Sequence, residues 1–434
     1  MRKLTTLLFA CATLAVSSAY SSLQAMGPAP APAAEKARMA PQTFAAMEAQ
    51  YVQQMRQFDH ALYSQFSKHE GNLFYSSYSL HTALLMATHG AREQTRKEML
   101  QVLMPGMSLD QAAGRGVVQG LTKVLNTPSK DYTLASANRM WVQKNFVLLP
   151  TYTTDLEKIW SVGAEAMDVS DPQKTADTIN AWVEANTNKK IIRLILPEMI
   201  KVNTRVVLTN AVYFKGTWAT QFDPKQTQEM DFAAPGGAVK VPMMYLKSPQ
   251  VRYGEIVANP AESADKPGSG RSALAGTKII ELDYAGNSLA MRLTLPPEAL
   301  KLEELNTTQM EIISAQPLEA KEVNVWMPKL KVEGSFPMIP ILENMGIKQA
   351  FTLDADFSGI TGKPDLYISV VVQKTFLEVN EEGSEAAAAT AVILSTKSAP
   401  MSQTFRADRP YLLQIIHRPT GAVLFSGRIV KPTA

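Results

Sequence analysis

The chain has 434 residues, 46% of them hydrophobic and 19% charged, so it has the material for a large buried core. The formal net charge is only +3, and no basic stripe is interleaved with aromatic residues, which argues against nucleic acid as a partner. The densest basic patch, NKKIIR (Asn188 to Arg193), reads as solvated surface.

In chain order, the N-terminus reads as an export signal, residues 1–25. Arg2 and Lys3 give a positive start, Leu4 to Val16 is apolar, and Ser17-Ser18-Ala19 or Leu23-Gln24-Ala25 offers a small-residue cleavage site. The apolar stretch is too short to span a bilayer, so no membrane insertion is expected after cleavage. Cys11, the one cysteine, lies inside this segment. LLFAC fits a lipoprotein box poorly because of Phe9, and processing after Ala19 or Ala25 removes the thiol. Export implies an extracellular, periplasmic or cell-surface location, a domain this large having no need of disulfides. Residues 26–42, containing MGPAPAPAAEKA, form a Pro/Ala-rich linker.

From Phe44 to about Ser67 the spacing of Met47, Tyr51, Met55, Phe58 and Leu62 predicts a helix. Further helices are expected near Ser79 to Thr88, Arg92 to Leu103, Thr151 to Trp160 and Thr175 to Thr187, the last with Ile179, Trp182 and Val183 inward. Thr133 to Gln143 reads as a strand, and VVLTNAVYF (Val206 to Phe214) as a strand buried on both faces. Ala258 to Lys278 reads as a surface loop rich in Pro, Gly, Ser and Ala. Strand patterns return at Lys278 to Tyr284, Leu289 to Leu295, Glu322 to Gly334, Leu366 to Val379, YLLQIIHR and AVLFSGRIV. No linker divides residues 43–434, so they are expected to form one α+β domain.

Chemistry is scarce. His60, His69, His81, His89 and His417 stand in no HxxxH or HExxH arrangement. Gly268-Ser269-Gly270 lacks the strand-turn-helix setting of a nucleophile elbow, and no glycine-rich phosphate loop occurs. The sequence therefore points away from an enzyme.

One stretch resists a local explanation. NEEGSEAAAATAVIL (Asn380 to Leu394) is helical by propensity, yet it follows a strand pattern after a single glycine. From Ala386 to Ala391 no side chain exceeds threonine in size.

With that run the sequence resembles the serpin family of loop-inserting protease inhibitors, over nearly all of Phe44 to Pro432. The resemblance rests on INAWVEANTNKKI, NAVYFKGTW with Phe222, VPMM, MPKLKVE, ADFSGI, EVNEEGSEAAAATAV, FRADRPYLLQI and TGAVLFSGRIVKP, all in the family's order. It implies three β-sheets surrounded by eight or nine helices, with an exposed reactive-centre loop at about 380–404. It also implies a monomer without cofactors that acts on proteases as a suicide substrate, its loop inserting into the large sheet after acylation.

The resemblance assigns residues as well. The hinge would comprise Glu381, Glu382, Gly383, Ser384, Glu385, Ala386, Ala387, Ala388, Ala389 and Thr390. Fourteen positions beyond the hinge glycine stands Lys397, giving the reactive bond Lys397–Ser398, with Ile393, Leu394, Ser395 and Thr396 in the neighbouring subsites. A lysine there suits trypsin-like enzymes, whose primary pocket carries a carboxylate. Ser76, Ser79, Asn210 and Gln373 match the cluster where the sheet opens, and Trp218 matches a tryptophan at its top. Two departures stand out: Ser77 replaces a usual proline, and Gln373 a common histidine.

The residues meet the mechanism's demand. Inserted strands alternate faces, and Ser384, Ala386, Ala388, Thr390, Val392 and Leu394 are all uncharged and mostly small. An inserted dozen residues would form on the order of 20 ladder hydrogen bonds, gross about 10–30 kcal/mol before the loop is ordered. Two alternatives stay open: a non-inhibitory binding protein of the same fold, which would be expected to carry bulky, charged or proline hinge residues, and an inhibitor of cysteine or other serine proteases, cut at a neighbouring bond after Leu394 or Met401.

Overall fold

A computed structural model describes residues 43–66, 69–127, 129–258, 270–384 and 402–433. Its first helix, α1 (Phe44–Gln65), starts where the Thr43 side chain accepts from the Ala46 N–H, and the stripe Met47, Tyr51, Met55, Phe58 and Leu62 is buried. After β1 (Leu73–Tyr75), Ser76 caps α2 (Ser77–Gly90), two residues longer at each end than its periodicity suggests. Then come α3 (Glu93–Leu103), α4 (Leu109–Gly114), α5 (Val117–Asn126), β2 (Tyr132–Gln143) and α6 (Pro150–Asp155). A π turn at Leu156–Trp160 completes the helix expected up to Trp160.

Next are β3 (Ala164–Met167) and α7 (Pro172–Asn186), begun by Asp171 as cap and Pro172 in the first turn. Trp182 is half-buried rather than inward, because it stands beside Trp141 with Arg139 lying over its ring. The strand β4 (Val206–Thr217) follows, then β5 (Gln228–Ala234), β6 (Gly237–Glu255), β7 (Lys278–Asp283) and β8 (Leu289–Leu295). The chain continues through α8 (Thr307–Ala315), β9 (Glu319–Pro328), β10 (Leu330–Pro337), α9 (Ile339–Met345) and α10 (Ser358–Thr361). It closes with β11 (Ile368–Val379), β12 (Gly383–Ser384), β13 (Gln403–Arg406), β14 (Tyr411–His417) and β15 (Ala422–Ile429).

The strands form two hydrogen-bonded networks. One runs β10-β11-β4-β2-β3, with β12 against β4; the other runs β1-β15-β14-β8-β7-β6-β9-β13, with β5 on β6. The three sheets implied by the resemblance become two networks because β6 is 19 residues long and pairs with β5, β7 and β9 in turn. Apolar side chains of α1, α2 and both sheets share the main core. A second cluster lies on the other face of the first sheet, where Ile179 and Val183 of α7 meet Trp141, Val207, Ala211, Tyr213, Val372 and Phe376. Covered on both faces, β4 needs the continuous apolar run its sequence shows. Thr43–Ala434 forms one compact unit. No described helix is long and apolar enough to cross a membrane.

Candidate functional site

The seam between β4 and β11 organises the site. These strands run parallel, Val206–Tyr213 against Ile368–Phe376, and the ladder ends there. Beyond it the strands part into a fork, and β12 enters between them, Gly383 opposite Thr217 and Ser384 opposite Gly216, antiparallel to β4. Gly383 and Ser384, two of the residues the resemblance assigns to the hinge, thus lie inside the sheet.

A polar row crosses the seam midway. Asn138 pairs in register with Asn210, and Asn210 with Gln373. Beneath them Ser76 and Ser79 present the start of α2, and all five residues are buried. The Asn210 amide donates to Ser79 Oγ and to Asn138 Oδ1, each at 2.5 Å, and Ser79 Oγ donates to Asn138 Oδ1 at 2.7 Å. Ser76 Oγ donates to the Leu424 carbonyl at 2.7 Å. Gln373 takes both roles open to an amide: its Oε1 accepts from the Ser76 N–H at 3.0 Å, and its Nε2 donates to the Ser76 carbonyl at 2.8 Å and to Asn210 Oδ1. The departure from histidine therefore leaves the cluster satisfied. Opening the seam must break the Gln373–Asn210 bond, and a buried amide left unpaired costs about 1–3 kcal/mol.

At the fork, main-chain bonds hold the hinge. The Trp218 N–H donates to the Glu382 carbonyl at 2.9 Å, its indole Nε1 to the Asn380 carbonyl at 3.0 Å, and the Phe222 N–H to the Glu381 carbonyl at 2.9 Å. Asn380 Oδ1 accepts from the N–H groups of Glu382 and Gly383. Gly383 has φ +151°, and a Cβ there would come within 2.1 Å of the Gly216 carbonyl oxygen, so only glycine fits.

Glu381 pairs with Lys329 Nζ at 2.8 Å and accepts from Thr227 Oγ1 at 2.7 Å. Burial works against its charge, but Lys329, Thr227 and a backbone N–H outweigh it and hold the pKa below the ordinary glutamate value. Ser384 is buried, with its Oγ 2.7 Å from the Tyr284 hydroxyl.

The structure thus brings Ser76, Ser79, Asn210 and Gln373 together, and sets Trp218 against Asn380–Glu382. Glu385–Thr390, Ile393–Thr396 and the bond Lys397–Ser398 lie outside the described residues. Sequence reasoning missed Asn138, Lys329, Thr227 and Tyr284. Asn138 carried a usable signal, a polar residue in the alternation of β2. Among the described residues no group of three or more His, Cys, Asp or Glu could hold a metal ion. The arrangement is mechanical: a parallel seam with a polar lock and a strand already started at its open end.

The family model described as "Serpin (serine protease inhibitor)" matches residues 53–432. Serpin B6 of Macaca fascicularis is 36% identical, over 83% of this chain and 93% of its own length. The leukocyte elastase inhibitor of Bos taurus is 32% identical over the same shares, 83% and 93%. The crystal structure of Serpin48, a highly specific serpin of the insect Tenebrio molitor, superposes with a TM-score of 0.74 at 31% identity, covering 88% of this chain and 98% of that one.

Proposed function

The chain belongs to the serpin family of protease inhibitors, and from that premise we propose that it traps trypsin-like serine proteases covalently, as a suicide substrate cut at Lys397–Ser398. The enzyme's serine oxygen attacks the Lys397 carbonyl, an ester to Lys397 forms, and the Ser398 amine leaves with a proton. Insertion of the loop between β4 and β11 then carries the acylated enzyme away before water completes hydrolysis. The export reading of residues 1–25 sets this encounter outside the cytoplasm.

The observation that carries the reading is Gly383–Ser384 paired with β4 in the fork. Counting on from that register, one residue each way, Thr390 would come opposite Asn210 and Leu394 opposite Val206, the first residue of β4. Ser395 to Lys397 would then run past the strand's end, bringing Lys397 level with Asn203. The loop from hinge to reactive bond therefore suits the length of the strand it would follow. Thr390 would also bring a hydroxyl beside Asn210, replacing the partner lost when Gln373 moves away.

Mixing the mature protein with trypsin tests this on denaturing gels, with mass spectrometry of the released fragment. The expected result is an SDS-stable complex and a fragment beginning at Ser398. A complex with another fragment moves the reactive bond. Cleavage with no complex removes the inhibitor reading.

A further inference from the structure

Tyr284 follows β7 and is fully buried. Its ring lies flat on Trp218, with centroids 4.6 Å apart and 9° between the planes, and tilts edge-on to Phe214 at 5.0 Å. Gly216 makes the space, since a Cβ there would come within 2.7 Å of the Tyr284 ring. Held this way, the hydroxyl meets Ser384 Oγ at 2.7 Å. The bonds from Trp218 and Phe222 go to carbonyls and are indifferent to side-chain identity, while Lys329 and Thr227 hold the Glu381 side chain ahead of β12. Of the two β12 residues paired with β4, Ser384 is thus the one that offers a side chain for recognition.

We propose that Tyr284 is a positioning residue for loop insertion: its hydroxyl seats Ser384 in the fork and so sets how often insertion outruns deacylation. Burial keeps the phenol neutral by pushing its pKa far up. When the hinge leaves the fork, that hydroxyl loses the Ser384 partner, and a polar group without a partner in a core is costly. The seated state is therefore favoured before any protease arrives. Insertion then extends a strand already begun instead of nucleating one, and a faster start leaves less time for the ester to be hydrolysed.

The effect on trapping rests on the inhibitor reading, but the seat itself does not. Ser384→Thr keeps a hydroxyl and Ser384→Val removes it at nearly equal volume, so the pair separates hydrogen bonding from size. Amide hydrogen exchange of residues 380–384 in the full, uncleaved protein is the first readout. Tyr284→Phe and Ser384→Val should each speed exchange about five- to tenfold, Ser384→Thr should match the parent, and the double variant Tyr284→Phe/Ser384→Val should exchange no faster than either single. The stoichiometry of trypsin inhibition should rise in the same order.

Equal behaviour of the valine and threonine variants, or fully additive effects, would overturn the proposal. If Tyr284→Phe fails to fold, as thermal melting would show, the Ser384 pair decides alone. If the parent protein does not trap trypsin, the inhibitor reading falls while the exchange data still decide the seat.

Discussion

Asp59 of α1 has no exposed surface, an expensive place for a carboxylate. Burial pushes its pKa up to about 6, and the hydrogen bonds that Ser426 Oγ and Gln414 Nε2 donate to Oδ2 offset only part of the cost. A carboxyl with a folded pKa above its unfolded value holds its proton better when folded. Its stabilising contribution is therefore complete below about pH 4 and is lost as pH rises through about 6. A shift of that size corresponds to on the order of 3 kcal/mol. Asp59→Asn should melt higher than the parent above pH 7, with the advantage shrinking or reversing by pH 5; melting curves that stay parallel from pH 5 to 8 would contradict this. No periodicity argument flags Asp59, since an acid beside Phe58 on a long helix looks like ordinary surface. Ser76, Ser79, Asn210 and Gln373 were legible because each matched a family position, and Asn210 also interrupts an apolar strand. Asn138 went unnoticed because β2 carries several polar residues, which masked its place in the alternation until the register set it opposite Asn210.

For β4 and β11, the proposed insertion would exchange one ladder for two. The parallel ladder Val206–Tyr213 with Ile368–Phe376 would be given up, and the loop would pair antiparallel with both strands. The gross gain from an added strand is therefore reduced by the ladder lost. The slot is roofed on both sides: Val212 faces the main core, while Ala211 and Tyr213 pack under α7. Continuing the β12 register, Ala388 would come opposite Val212, Ala389 opposite Ala211 and Ala387 opposite Tyr213. An inserted loop would need small residues on both faces under that double cover, whereas the sequence alone accounted for only one face. Glu385 would come opposite Lys215, the single hinge charge beyond Gly383 meeting a lysine. Ala388→Glu should leave cleavage at Lys397 intact but raise the stoichiometry of inhibition about tenfold or more, because an unpaired carboxylate would be driven into the core. Titration of trypsin with the variant measures it, and unchanged stoichiometry would mean Ala388 never enters. The long strands were legible from apolar runs, β4 above all. The helices α4, α5, α8 and α9 were not, since six to ten residues give too few turns for a period to show. Nor was the break at Lys329 between β9 and β10, which the sequence presents as one strand pattern.

Across the whole molecule, the fork lies at the Thr217 end of β4 and the turn leading into Val206 at the other, so the sheet's central seam joins the point of entry to the far end of the loop's course. The family's architecture was legible because its motifs are spread along the chain, while the fusion of two sheets through β6 depends on tertiary pairing that no local pattern encodes. In the uncleaved protein β12 pairs with β4 only at Gly383–Ser384, and beyond it the ladder Tyr213–Phe376 and the Gln373–Asn210 bond close the seam. On the proposed mechanism, cutting the loop would release its hinge side from the tether to β13. The freed segment would then fill the seam, adding ladder bonds and burying its small side chains between the core and α7. A net gain on the order of 10 kcal/mol, at about 1 °C for each in a domain of this size, should raise the melting temperature by about 10 °C. The check is calorimetry of the intact protein and of the same protein nicked in the loop, with both fragments still associated. A Ser384→Arg variant, nicked in the same way, should lose most of the gain, because its first buried position cannot accept a charge. An equal rise in both would locate the stabilisation elsewhere than the fork, and no rise in either would mean that the alanine run does not enter the sheet.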